Sequence, residues 1–128
     1  MTAQTQIRIL SVDDHPLLRE GIAMIINSQP DMTLVSQAST GTEAVQQYRT
    51  HRPDVTLMDL RLPDLSGIDA MVAIRAEFPE ARIIMLTTFE DEFEAKRAVE
   101  AGAREYLLKN MPPSELMRVI RQVHAGDA

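Results

Sequence analysis

The chain of 128 residues is 45% hydrophobic and 25% charged, the balance of a globular domain that buries one core without metal or disulfide support. It has no cysteine, which excludes disulfides, thiolate metal centres and cysteine nucleophiles and suits a reducing, cytoplasmic setting. With 19 acidic residues against 13 basic and a net charge of -6, it has no sequence-independent grip on nucleic acid, and no apolar stretch approaches the about 20 residues of a membrane span.

In chain order, Ile7 to Val12 is the first apolar run and reads as a strand, with Asp13-Asp14 after it. Pro16 then opens a helix whose Leu18, Ile22, Ile25 and Ile26 repeat at helical spacing. Thr33 to Ala38 is a second strand, and Thr40 with Glu43 is an N-terminal capping pair for a second helix. Val55 to Met58 is a third strand and ends at Asp59. The loop Leu60 to Gly67 follows, and Ser66 with Asp69 opens a helix marked by Met71, Ile74 and Phe78. Arg82 to Leu86 is the fourth strand and ends at Thr87; Asp91 with Glu94 opens the fourth helix, and Gly102 suits its C-terminal end. Glu105 to Leu108 is the fifth strand and ends at Lys109, before a helix that opens at Pro113, repeats Leu116, Val119, Ile120 and Val123, and closes at Gly126. Four of these strands are nearly continuous apolar runs, as expected of strands covered on both faces. The fold class is α/β: a (βα)5 order with short crossovers predicts a doubly wound, five-stranded parallel sheet.

In a parallel sheet the ends of all five strands share one edge, where open α/β sheets place their ligand crevice. Asp13, Asp14, Asp59, Thr87 and Lys109 therefore converge. Carboxylates about 4 Å apart repel by about 4 kcal/mol at an effective dielectric near 20, so a cation is needed among them. An oxygen-only ligand set points to Mg²⁺, and His15, His51 and His124 are too scattered for zinc. A carboxylate on a strand end beside such a cation can attack phosphorus and form an acyl phosphate. Asp59 is best placed for that, with Thr87 and Lys109 available to the transferred group. Without metal the cluster holds like charges in excess, so an Asn at position 13 or 14 is expected to stabilise the chain. Taken singly, these residues have plain alternatives. Asp13-Asp14 could cap the first helix, Lys109 could be a snorkelling side chain, Tyr106 a core aromatic, and Met58, Met71 and Met85 gap-fillers.

Ser11-Val12-Asp13-Asp14-His15-Pro16, Leu57-Met58-Asp59-Leu60-Arg61-Leu62-Pro63, Leu86-Thr87 and Tyr106-Leu107-Leu108-Lys109 stand in an order and at a spacing that closely resemble the receiver domain of two-component response regulators. The resemblance implies the flavodoxin-like strand order 2-1-3-4-5 and makes Asp59 the phosphoacceptor. It makes Asp14, Asp59 and the Arg61 carbonyl direct Mg²⁺ ligands, Asp13 a water-mediated one, Thr87 and Lys109 the phosphoryl-binding pair, and Thr87 with Tyr106 the switch. It implies a sensor histidine kinase as partner and a homodimer on phosphorylation. The run from Asp13 to Gly21, with Thr87-Thr88-Phe89 and Ala101-Gly102-Ala103, looks most like the subgroup that controls transcription through a C-terminal LuxR-type helix-turn-helix domain. DNA would then be bound only by that output domain, which is expected to be either absent or outside 1–128; the alternative is a stand-alone receiver acting through protein–protein contacts. In many members a proline in a cis peptide follows the lysine, whereas here Asn110 follows Lys109. A phosphatase of the haloacid-dehalogenase type also forms an aspartyl phosphate, but needs a second Asp where Arg61 stands. A flavodoxin-like cofactor binder would need a neutral phosphate cradle where Asp13-Asp14 stand.

Overall fold

The computed structural model describes residues 6–88 and 91–126. Ten elements alternate: β1 (Ile7–Val12), α1 (Pro16–Asn27), β2 (Met32–Ala38), α2 (Gly41–His51), β3 (Val55–Asp59), α3 (Gly67–Glu77), β4 (Ile83–Thr87), α4 (Glu92–Glu100), β5 (Glu105–Leu108) and α5 (Pro113–Ala125). The strands form one parallel sheet in the order β2-β1-β3-β4-β5.

Strand alternation sorts the core into two layers. Ile7, Ile9, Val55, Leu57, Ile84 and Leu86 pack with Ile22 and Ile26 of α1 and with Leu116, Val119, Ile120 and Val123 of α5. Leu10, Val12, Met58, Ile83 and Met85 face the other way, toward Ala44 and Val45 of α2, Met71 and Ile74 of α3 and Ala98 of α4. Met58, Met71 and Met85 are fully buried in this layer, as gap-filling residues.

Helix starts follow the sequence signals. The Thr40 hydroxyl accepts the Glu43 N–H at 3.0 Å and the Ser66 hydroxyl the Asp69 N–H at 3.1 Å, while Asp91 accepts from Phe93 and Glu94. Pro16 and Pro113 open α1 and α5. Gly126 ends α5 at φ 84°, and Gly102 stands at φ 114° just past α4; both are left-handed conformations that favour glycine. One expectation changes. β1, β3 and β4 are buried, whereas the equally apolar β5 is only half-buried along its length, because it is an edge strand paired with β4 alone.

Candidate functional site: an acidic pocket at the sheet edge

β1 and β3 are neighbours although β2 lies between them in sequence, so the connections after them leave toward opposite faces and open a crevice. Asp13 follows β1 and Asp59 ends β3, which sets both carboxylates at that crevice. Ligating atoms of Asp13, Asp14, His15 and Asp59 all lie within 4.8 Å of one another. Asp13 and Asp59 are buried, at 1% and 4% exposure, and Asp14 and His15 form the mouth.

Lys109 enters this cluster from the end of β5, anchored by its N–H on the Thr87 carbonyl at 2.8 Å. Its ammonium donates to Asp13 Oδ2 at 2.9 Å and lies 3.1 Å from Asp59 Oδ2. With a side chain only 6% exposed, it is an internal counter-ion, which removes the snorkelling alternative. Every peptide bond among the described residues is trans, including Lys109–Asn110.

Asp13 is also occupied on its other oxygen. Oδ1 accepts the His15 N–H at 2.9 Å, and the His15 ring Nδ1 sits 3.1 Å away. The N-cap of α1 is His15, which makes no side-chain cap, so neither Asp13 nor Asp14 caps that helix. Asp14 has no lysine beside it; its Oδ1 lies 3.1 Å from His15 Nδ1, and neither that oxygen nor Asp59 Oδ2, which faces the Lys109 ammonium, completes a hydrogen bond. Two carboxylate oxygens without a hydrogen bond, in a cluster of three carboxylates and one imidazole, suit a hard divalent cation, which takes oxygen ligands and neutralises the charge that one lysine does not balance.

These contacts split the expectation for positions 13 and 14. In chelator, Asp14→Asn raises the melting temperature by removing one of three clustered like charges, the one that Lys109 does not reach and only the His15 ring approaches. Asp13→Asn lowers it, with a loss of about 1–3 kcal/mol in stability, because an amide cannot accept from both Lys109 and the His15 N–H. Thermal melts of the two variants check this, and a rise for both would mean Lys109 leaves Asp13 uncompensated.

Burial pushes the Asp59 carboxyl above its ordinary range; Lys109 opposes this and the Asp13 charge adds to it. The Arg61 N–H lies 3.4 Å from Asp59 Oδ1. Thr87, ending β4, and Tyr106, in β5, occupy the opposite face of the sheet from Lys109. Burial raises the Tyr106 hydroxyl's pKa and the nearby Thr87 hydroxyl lowers it, although the geometry at Tyr106 Oη falls short of a hydrogen bond. The structure thus joins Asp13, Asp14, Asp59 and Lys109 directly, with Thr87 and Tyr106 as a second pair on the other side of β4 and β5.

Sequence reading missed the outer supports. Arg19 donates to the Asp13 carbonyl at 2.8 Å, and Asp64 accepts the Gly41 N–H at 2.8 Å. Arg19 recurs one turn after Pro16 toward the strand end, a weak signal; nothing local links Asp64 to residues 23 positions earlier.

A parallel sheet in this order, with three carboxylates and a lysine at its carboxyl edge, is a flavodoxin-like fold carrying an acidic pocket. The chain belongs to the response regulator receiver domain family, whose model matches residues 9–121. Oxygen regulatory protein NreC of Staphylococcus epidermidis is 41% identical over 121 residues, 94% of this chain and 56% of that protein, and NreC of Staphylococcus aureus is 42% identical over the same span. The chain thus spans about half the length of the curated relatives it matches. Among solved structures, a LuxR-family response regulator from Aurantimonas sp. SI85-9A1 superposes with a TM-score of 0.91 at 39% identity, covering 95% of this chain and 87% of that one. The signal receiver domain of NarL from Mycobacterium tuberculosis gives 0.92 at 27% identity, covering 95% and 98%. No helix among the described residues is long and apolar enough to cross a membrane.

Proposed function

We propose that the chain is a receiver domain that accepts a phosphoryl group on Asp59 from a sensor histidine kinase and passes the signal on as a change of conformation. The observation that carries this is the buried Asp59 carboxylate at a strand end, flanked by Asp13 and with its Oδ2 3.1 Å from the Lys109 ammonium. In the transfer, an Asp59 carboxylate oxygen forms a bond to phosphorus as the phosphorus–nitrogen bond of a phosphohistidine breaks, and the leaving imidazole nitrogen is protonated from solvent. Lys109 follows the charge from Asp59 Oδ2 to a phosphoryl oxygen, and the Thr87 hydroxyl donates to another. Mg²⁺ would be held by Asp14, Asp59 and the Arg61 carbonyl, with Asp13 through water, and supplies the positive charge that lets an anionic donor approach. Attack of water on the acyl phosphate returns the free carboxylate, so the chain resets itself rather than turning over a stream of substrate. Arg61, where an aspartyl-phosphate phosphatase needs its second acid, argues against that enzyme class.

The output follows from the second pair. Thr87 moves toward the phosphoryl group only if it binds it better than it binds its present surroundings, and its departure alters the packing of Tyr106 on the α4–β5 side. The relatives named above include LuxR-family regulators, which supports transcription control through a DNA-binding domain beyond 1–128 and a cytoplasmic setting. A homodimer of phosphorylated chains is the simplest further consequence, and sedimentation with and without beryllofluoride reads it.

The test is intact-protein mass after incubation with acetyl phosphate. With Mg²⁺ the chain gains the mass of one phosphoryl group, and with excess chelator it gains none. Equal incorporation in both contradicts the proposal, because three clustered carboxylates with one lysine would then be admitting an anion unaided.

A further inference from the structure

The loop that carries the chain away from Asp59 is held at both its root and its tip. At the root, the Gly67 N–H donates to the Leu60 carbonyl at 2.8 Å, and a Cβ on Gly67 would collide with the carbonyl oxygen of Asp59 itself. At the tip, the Asp64 carboxylate reaches the first turn of α2. Oδ1 accepts the Gly41 N–H at 2.8 Å, and Oδ2 accepts the Thr42 N–H at 3.3 Å and the Thr42 hydroxyl. A Cβ on Gly41 would collide with Leu65, so only glycine lets the two backbones meet here.

The start of α2 therefore has two caps of different reach. Thr40, the residue before the helix, takes the Glu43 N–H, and Asp64, from the loop between β3 and α3, takes the two N–H groups before it. From its other side the same turn approaches the β1 loop. The Glu43 carboxyl, held below its ordinary range chiefly by Ser39, also feels Arg19, and Arg19 grips the Asp13 carbonyl. The first turn of α2 thus touches the loop that follows Asp59 and, through Glu43 and Arg19, approaches the loop that bears Asp13.

We propose that Asp64 is a positioning residue for the phosphoacceptor loop: by pinning the tip of residues 60–67 to α2, it fixes Asp59 and Arg61 relative to Asp13 and Asp14, and so sets Mg²⁺ affinity and phosphorylation rate. This rests on the reading of Asp59 as phosphoacceptor. A purely structural Asp64 would stabilise α2 and do nothing more, and Thr40 is the control, since it caps the same turn without touching the loop.

The experiment measures three quantities on the whole chain: melting temperature, Mg²⁺ affinity by calorimetry, and phosphate incorporation from acetyl phosphate at saturating Mg²⁺. Thr40→Ala and Asp64→Ala are expected to lower the melting temperature by similar amounts. Asp64→Ala alone is expected to weaken Mg²⁺ binding and slow incorporation by about tenfold each, the lower end of what loss of an outer support costs. Asp64→Asn, whose Oδ1 still accepts from Gly41, recovers most of both. Thr42→Val removes only the hydroxyl donor and supplies an intermediate case should Asp64→Ala not fold. If Asp64→Ala matches Thr40→Ala in Mg²⁺ affinity and rate, or Asp64→Asn recovers neither, the latch is overturned. Wild type that binds no Mg²⁺ and takes no phosphate would overturn the reading beneath it instead.

Discussion

Asp59→Asn is expected to abolish phosphate incorporation, leaving at most about a hundredth of the wild-type rate, while melting above wild type in neutral, metal-free buffer. The first effect follows because an amide is no nucleophile toward phosphorus, and loss of a nucleophile commonly costs several orders of magnitude. The second follows from the direction of the Asp59 pKa. Burial outweighs Lys109 and raises it, so the folded state holds its proton more tightly than the unfolded state does. As pH rises from the ordinary carboxylate range through the raised folded value, wild type loses stability that the Asn variant keeps. Below the ordinary carboxylate pKa both states of wild type are protonated there, and the gain disappears. Melts across that range in chelator check the sign; an Asn variant that melts below wild type at neutral pH would mean the ion pair with Lys109 dominates.

Lys109→Ala should be the most destabilising change at the site, costing about 3 kcal/mol in chelator. It leaves two carboxylates, 2% and 5% exposed at the side chain, without the cation that holds them, and breaking a buried pair by removing one partner costs on the order of 3–5 kcal/mol. Lys109→Met keeps the apolar stem and isolates the charge, so it should lose nearly as much. Mg²⁺ should restore part of the loss in both, by binding the folded chain where repulsion is greatest. Phosphate incorporation should fall by at least about tenfold even at saturating Mg²⁺, because one stabilising charge on the transferred group is gone. Equal melting of Lys109→Met and wild type in chelator would show that the lysine is held by packing alone.

Much of this site was legible in the sequence because its residues are tied to strand ends, and strand ends follow from hydrophobic pattern. Once Ile7 to Val12, Val55 to Met58 and Glu105 to Leu108 are strands of one parallel sheet, Asp13, Asp59 and Lys109 must share an edge. The electrostatics were less legible. Charge counting foresaw repulsion at Asp13 and Asp14 alike, but Lys109 donates to Asp13 and leaves Asp14 with only the His15 ring beside it, a choice made by side-chain reach across two intervening strands. Exposure of β5 was hidden for a similar reason, since Tyr106-Leu107-Leu108 has the composition of a central strand and only topology makes it an edge. Asp64 was invisible because its partners, Gly41 and Thr42, meet it through a loop rather than through any period in the chain.

Borohydride reduction of the phosphorylated chain, followed by peptide mapping, tests the central claim most directly. Reduction converts an aspartyl phosphate to homoserine at the residue that carried it. The account predicts homoserine at position 59 and unchanged aspartate at 13 and 14, in wild type treated with acetyl phosphate and Mg²⁺. Homoserine at position 13 or 14, or phosphate retained on a histidine or hydroxyl with position 59 unmodified, would contradict it.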